Sequence, residues 1–92
     1  MARKAEHVST LTKYPHWTVR NEKATYAPVA GGWRATVTKL YDPTGPERFH
    51  VAIADRTGMT RFASETATLK EAVARAEQGV AARNAIRLVQ PV

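Results

Sequence analysis

Three histidines, His7, His16 and His50, are the first residues of this chain to test for chemistry. None is spaced from another as metal ligands are, and each has an ordinary place: a polar arm, the residue after a proline, the wet face of a strand. Cysteine is absent, which excludes disulfides, thiolate catalysis and cysteine-ligated zinc. Ser9 and Ser64 lack a neighbouring base or a strand-to-helix elbow. Gly31-Gly32 precedes a strand and not a helix, the wrong order for a phosphate loop. Asp42 and Asp55 flank turns, where aspartate bonds to local backbone. These residues predict no catalytic group, no metal and no cofactor. Binding chemistry is better served. Arg34, Thr36, Thr38, Arg48, His50 and Arg61 recur at strand spacing, setting cationic forks among small hydroxyl groups. Guanidinium forks suit guanine edges and phosphates, and threonine suits phosphates or thymine methyls.

Strands must position that set. In WRATVTKLY, Trp33, Ala35, Val37 and Tyr41 share one face, while Arg34, Thr36 and Thr38 share the other. RFHVAIAD repeats the pattern with Phe49, Val51 and Ile53 against Arg48, His50 and Ala52. Alternation with period two marks a sheet buried on one side and wet on the other. DPTGPE (residues 42–47) and Arg56-Thr57-Gly58 are turns, and MTRFAS adds a strand with Phe62 inward and Arg61 outward. Both connections are too short for crossovers, so pairing is antiparallel. Upstream, Trp17 and Val19 alternate with Thr18 and Arg20, which suggests a brief hairpin over residues 16–29; Pro28 would place its second half at a sheet edge.

A helix follows. Thr68 with Glu71 has the spacing of a capping box, and Leu69, Ala72, Val73, Ala76 and Val80 lie on one helical face. Gly79 costs such a helix about 1 kcal/mol against alanine, a cost that close approach to the sheet offsets. Asn84 is the candidate C-cap, with Ile86, Leu88 and Val89 forming a frayed turn or short strand before Pro91. The fold expected is α+β: a small three- to four-stranded antiparallel sheet with one carboxy-terminal helix packed on one face. Its core comprises Trp33, Ala35, Val37, Phe49, Val51, Ile53, Phe62, Leu69, Val73, Ala76 and Val80. Residues 1–15 read as a basic flexible arm carrying Arg3, Lys4 and Lys13, and residues 16–92 as one domain.

Fourteen Lys and Arg against eight Asp and Glu leave a net charge of +6 on 92 residues, a surplus that favours acidic partners. No leader-like or membrane-spanning apolar run occurs, so the expected location is the cytoplasm. With Trp33 and Phe49 directed inward, no base-stacking platform is evident, which points away from single strands.

GGWRATVTKLYDPTG, the following Arg-Phe strands and FASETATLKEAVARAEQGVAAR resemble the amino-terminal arm-binding domain of phage and mobile-element tyrosine recombinases, and AP2-like DNA-binding domains. The resemblance covers about half the chain. It implies a three-stranded sheet on one helix that reads the major groove, with Arg34, Thr36, Arg48 and Arg61 facing it. The 48–55 segment is longer than that pattern, and no recombinase catalytic domain follows it in this sequence. TGPERFHVAIADRTG with its Ala-rich helix is similar to the second half of double-stranded-RNA-binding domains, but TLKEA replaces their basic helix start. The β-β-β-α order is also similar to HicB-type antitoxins. The expected function is therefore non-catalytic nucleic-acid binding, DNA before RNA, in a phage or mobile-element setting. The alternative is a protein-interaction module, antitoxin-like or a host-directed inhibitor, docked on an acidic protein. An exposed edge strand leaves a homodimer open.

Overall fold

A computed structural model describes residues 7–41 and 44–89, without the side chains of 86–89. Five strands, β1 (Trp17–Arg20), β2 (Lys23–Tyr26), β3 (Arg34–Leu40), β4 (Arg48–Ala54) and β5 (Thr60–Thr66), pair antiparallel in chain order. Helix α1 (Leu69–Val89) follows, and a short 3-10 helix (Val8–Lys13) precedes them. The α+β class holds, with five strands and not three to four. The hairpin of residues 16–29 exists and extends the meander, so β2 lies inside the sheet instead of at its edge. Pro28 does not interrupt the ladder because β2 ends at Tyr26.

The β1–β2 turn places Asn21 at φ 51° and Glu22 at φ 63°, the doubly left-handed geometry of a two-residue hairpin. Asparagine tolerates it; glutamate carries a Cβ that opposes it. Glu22→Gly should therefore stabilise the protein by about 1 kcal/mol, raising its Tm by roughly 4–8 °C in thermal unfolding. An unchanged or lower Tm would show that the turn carries no strain.

The strand alternation yields the expected buried set of Ala35, Val37, Phe49, Val51 and Ile53. α1 packs on this face mainly over β3 and β4, burying Leu69, Ala72, Ala76 and Val80. A Cβ on Gly79 would lie 2.5 Å from Ile53 Cδ1, so the glycine does mark a close approach of helix and sheet. The 3-10 helix covers the hairpin half of the same face. Val8 and Leu11 are buried there with Trp17 and Ala24, so these two residues of the segment read as an arm pack against the core. Arg3 and Lys4 lie outside the described residues.

Further expectations are corrected. Tyr41 is 92% exposed because β3 ends at Leu40, and Lys39 takes the last inner position, reaching Glu47 at 2.7 Å. Phe62 does sit opposite Ile53, but on an edge strand it stays 45% exposed, stacked beside Trp33 with the Arg83 guanidinium 4.3 Å above it. Trp33 and Val73 are partly buried. Asn84 does not end the helix, which continues to Val89. Its Oδ1 accepts the Trp33 N–H at 3.1 Å, binding α1 to the start of β3. A Cβ on Gly32 would fall 2.9 Å from that oxygen, and Gly31 has φ +74°, so the glycine pair serves a tight turn and a close contact. The Thr68–Glu71 cap forms, with Glu71 N–H donating to Thr68 Oγ1 at 3.1 Å and that hydroxyl donating to Glu71 Oε1 at 3.0 Å. Asp42 and Pro91 lie outside the described residues.

Candidate nucleic-acid interface

Register assigns each strand residue to one face. Opposite the covered face, Thr18, Thr25, Thr36, Ala52 and Ala63 form one continuous row across all five strands. The next row is Arg20, Lys23, Thr38, His50 and Glu65. Arg34 faces Ala54 on one flank, and Arg48 faces Leu40 on the other. The small central row leaves the sheet surface low, with longer side chains rising around it. No described helix lies over this side.

Arg34, Thr36, Thr38, Arg48 and His50 thus share the open face, as their alternation predicts. Arg61 is placed differently. Ile53 faces Phe62 while Ala54 faces Thr60, so Arg61 is the extra residue of a bulge. Its guanidinium lies 3.8 Å from Asp55 Oδ2. Asp55 itself locks the β4–β5 turn: Oδ1 accepts Thr57 Oγ1 at 2.6 Å, Thr57 N–H at 2.9 Å and Met59 N–H at 3.2 Å. The Thr57 hydroxyl, followed by those backbone donors, holds the carboxyl below its ordinary 3.8, so it stays anionic beside Arg61.

Charge is uneven over the face. Arg48 pairs with Glu65 at 2.9 Å, and Arg61 has Asp55. Arg20, Lys23 and Arg34 have no carboxylate within ion-pairing distance among the described residues. The unneutralised cations therefore occupy the β1–β3 half, while β4–β5 is nearly balanced. Thr18, Arg20, Lys23 and Thr25 were not among the residues the sequence alone assigned to the face. Their signal was the Trp17/Val19 against Thr18/Arg20 alternation, but without the β2–β3 register nothing joined the hairpin to the Trp33 strand.

His16 lies edge-on to Tyr26, ring centroids 6.4 Å apart, and His50 stands between Thr38 and Glu65. Among the described residues no group of three His, Asp or Glu could hold a metal ion. Nor is any described helix long and apolar enough to cross a membrane. The fold and face define a small α+β domain with one covered and one open, partly basic sheet surface. Comparison with known proteins finds no matching family model, no matching curated protein and no matching solved structure.

Proposed function

We propose that this chain is a non-catalytic domain that binds double-stranded DNA through the open face of its sheet. One observation carries the reading: Arg20, Lys23 and Arg34 stand on that face without carboxylate partners among the described residues. Three neighbouring strands span about 10 Å, against a major groove about 12 Å wide. In that pose Arg34 reaches base edges with Thr36 and Thr38 beside it on β3, and Arg20 and Lys23 meet phosphates. Arg48, His50 and Arg61 lie farther along, with Arg48 and Arg61 already facing Glu65 and Asp55.

Fluorescence anisotropy on a duplex at about 50 and 200 mM salt tests this. Release of counterions from about two phosphate contacts should weaken binding roughly tenfold between the two. Lys23→Glu with Arg34→Glu should weaken it at least about tenfold at low salt, with the circular dichroism spectrum unchanged. Absence of binding at low salt, or equal binding by the double variant, rejects the reading.

The Arg48–Glu65 and Arg61–Asp55 pairs favour a second reading, because a face half balanced in charge suits an acidic protein better than a continuous phosphate array. A stoichiometric partner that survives nuclease treatment and is lost with the same double variant, in a protein that ignores DNA, supports it.

A further inference from the structure

We propose that the groove between α1 and β5 holds an extended acidic peptide segment of a partner protein, in which two carboxylates flank an apolar residue. That groove lies on the covered side of the sheet and does not depend on what the open face binds. α1 packs mainly over β3 and β4, so the inner side of β5 is incompletely covered. Phe62 stays half-exposed there, and an open groove of about 520 Å³ runs past Ile53, Ala74, Arg75, Gln78 and Gly79. Ile53 Cδ1 fills the space that a side chain at Gly79 would take, which makes the middle of the groove aliphatic.

An arginine stands toward each end. Arg83 lies against two rings, its Cζ 4.3 Å from the Phe62 centroid and 5.9 Å from that of Trp33. Such contact orients the guanidinium plane and leaves its N–H edge for a planar anion. Arg75, about two helical turns earlier, donates from Nη1 to Ser64 Oγ at 3.1 Å and to the Glu65 carbonyl at 3.3 Å, both neutral acceptors. Neither arginine has a carboxylate within ion-pairing distance among the described residues. Glu71, the acidic residue of the groove, has Oε1 engaged by the Thr68 cap. Spacing then selects the ligand. Eight helical residues set the two arginines about 12 Å apart along the axis. In an extended peptide, residues i and i+4 lie about 13 Å apart on one side, with i+2 between them. Acidic side chains at i and i+4 meet Arg75 and Arg83 while an apolar i+2 rests on Ile53. A nucleic-acid strand, charged at every phosphate, would instead set charge over that aliphatic middle.

Proton–nitrogen correlation spectra of the full chain, titrated with acetyl-Ser-Asp-Ser-Leu-Ser-Glu-Ser-amide to about 5 mM, test this. The Arg75, Gly79 and Arg83 amides and the Trp33 indole should shift together, with a dissociation constant of about 0.1–1 mM. Arg75→Gln and Arg83→Gln should each raise that constant about fivefold or more, and Arg83→Lys, which keeps the charge but loses the planar fork, should do nearly the same. Lys23→Glu with Arg34→Glu, on the open face, should change it less than about threefold. Circular dichroism establishes that each variant folds. Peptides with Asn and Gln in place of the two acids, or Ser in place of Leu, should bind at least about fivefold more weakly. Absence of shifts at the highest peptide concentration overturns the proposal, as does equal binding of either control peptide. Shifts confined to the open face overturn it too. An oligothymidine that binds the same residues as tightly gives the groove to nucleic acid, and shifts on raising protein concentration alone give it to a second copy; either result rejects the peptide.

Discussion

Phe49→Ala should cost about 3–5 kcal/mol, among the largest losses available from a single side chain in this protein. Phe49 is 0% exposed and is the bulkiest fully buried side chain in the core. It sits on β4, between β3 and β5, on the face that α1 covers. Its neighbours on that face are Val51 on β4, Lys39 opposite on β3 and Thr66 opposite on β5. Removing the ring deletes its transfer energy and leaves a cavity that a hydrogen-bonded central strand cannot close. A domain of this length has a total stability of about 5–14 kcal/mol, so the variant loses a large share of it. Its Tm should fall by more than about 12 °C, and urea unfolding should show a lower midpoint at similar slope. Phe49→Leu should recover most of the loss. A cost below about 1 kcal/mol for the alanine variant would contradict the burial that defines this core.

Trp17→Ala should cost a comparable 3–5 kcal/mol, although Trp17 lies at the opposite edge of the sheet. The indole is buried, its ring centroid 5.2 Å from that of Tyr26, and its Nε1–H donates to Glu77 Oε2 at 2.8 Å. This bond joins β1 to α1 over a separation of 60 residues. Burial, then the nearby Glu77 charge, raises the Tyr26 phenol above its ordinary 10.0, so that group stays neutral through the neutral range. Trp17→Phe separates the two contributions. It keeps most of the apolar contact, loses the charge-assisted bond and leaves Glu77 without its indole donor, at a cost of about 1.5–3 kcal/mol. Adding Glu77→Gln to Trp17→Phe removes the unpaired charge and should recover part of that cost. Strict additivity of the two substitutions in urea unfolding would show that the pair is not coupled.

The face proposed for DNA depends on the same packing. Loss of Trp17 loosens β1, and with it Arg20, while Arg34 is held by β3 at the centre of the sheet. Binding assays on core variants therefore need the fold checked first.

Residues that declare themselves locally were legible from the chain alone. Alternation of period two told inside from outside in β3 and β4, because a pleated strand leaves no other way to segregate Ala35 and Val37 from Arg34 and Thr36. Thr68 and Glu71 marked the helix start through bonds spanning three residues. Gly79 marked a close approach because little else justifies glycine inside a helix. Other assignments depended on distant partners and could not be read that way. Asn84 has the composition of a helix stop, yet its side chain is occupied by Trp33, 51 residues away, and the helix runs on. Val8 and Leu11 lie in a polar segment and become core only because the hairpin's Trp17 and Ala24 offer them a surface. Phe62 alternates as an inward residue, but its position on the edge strand leaves it half exposed. The basic face divides in the same manner: strand periodicity determined that Arg34, Thr36, Thr38, Arg48 and His50 share a side. Only the register and the ion pairs decided that Arg48 and Arg61 are engaged by Glu65 and Asp55, and that Arg20 and Lys23 join Arg34. Short-range backbone geometry is written in neighbouring residues; charge pairing between strands is a property of the assembled sheet.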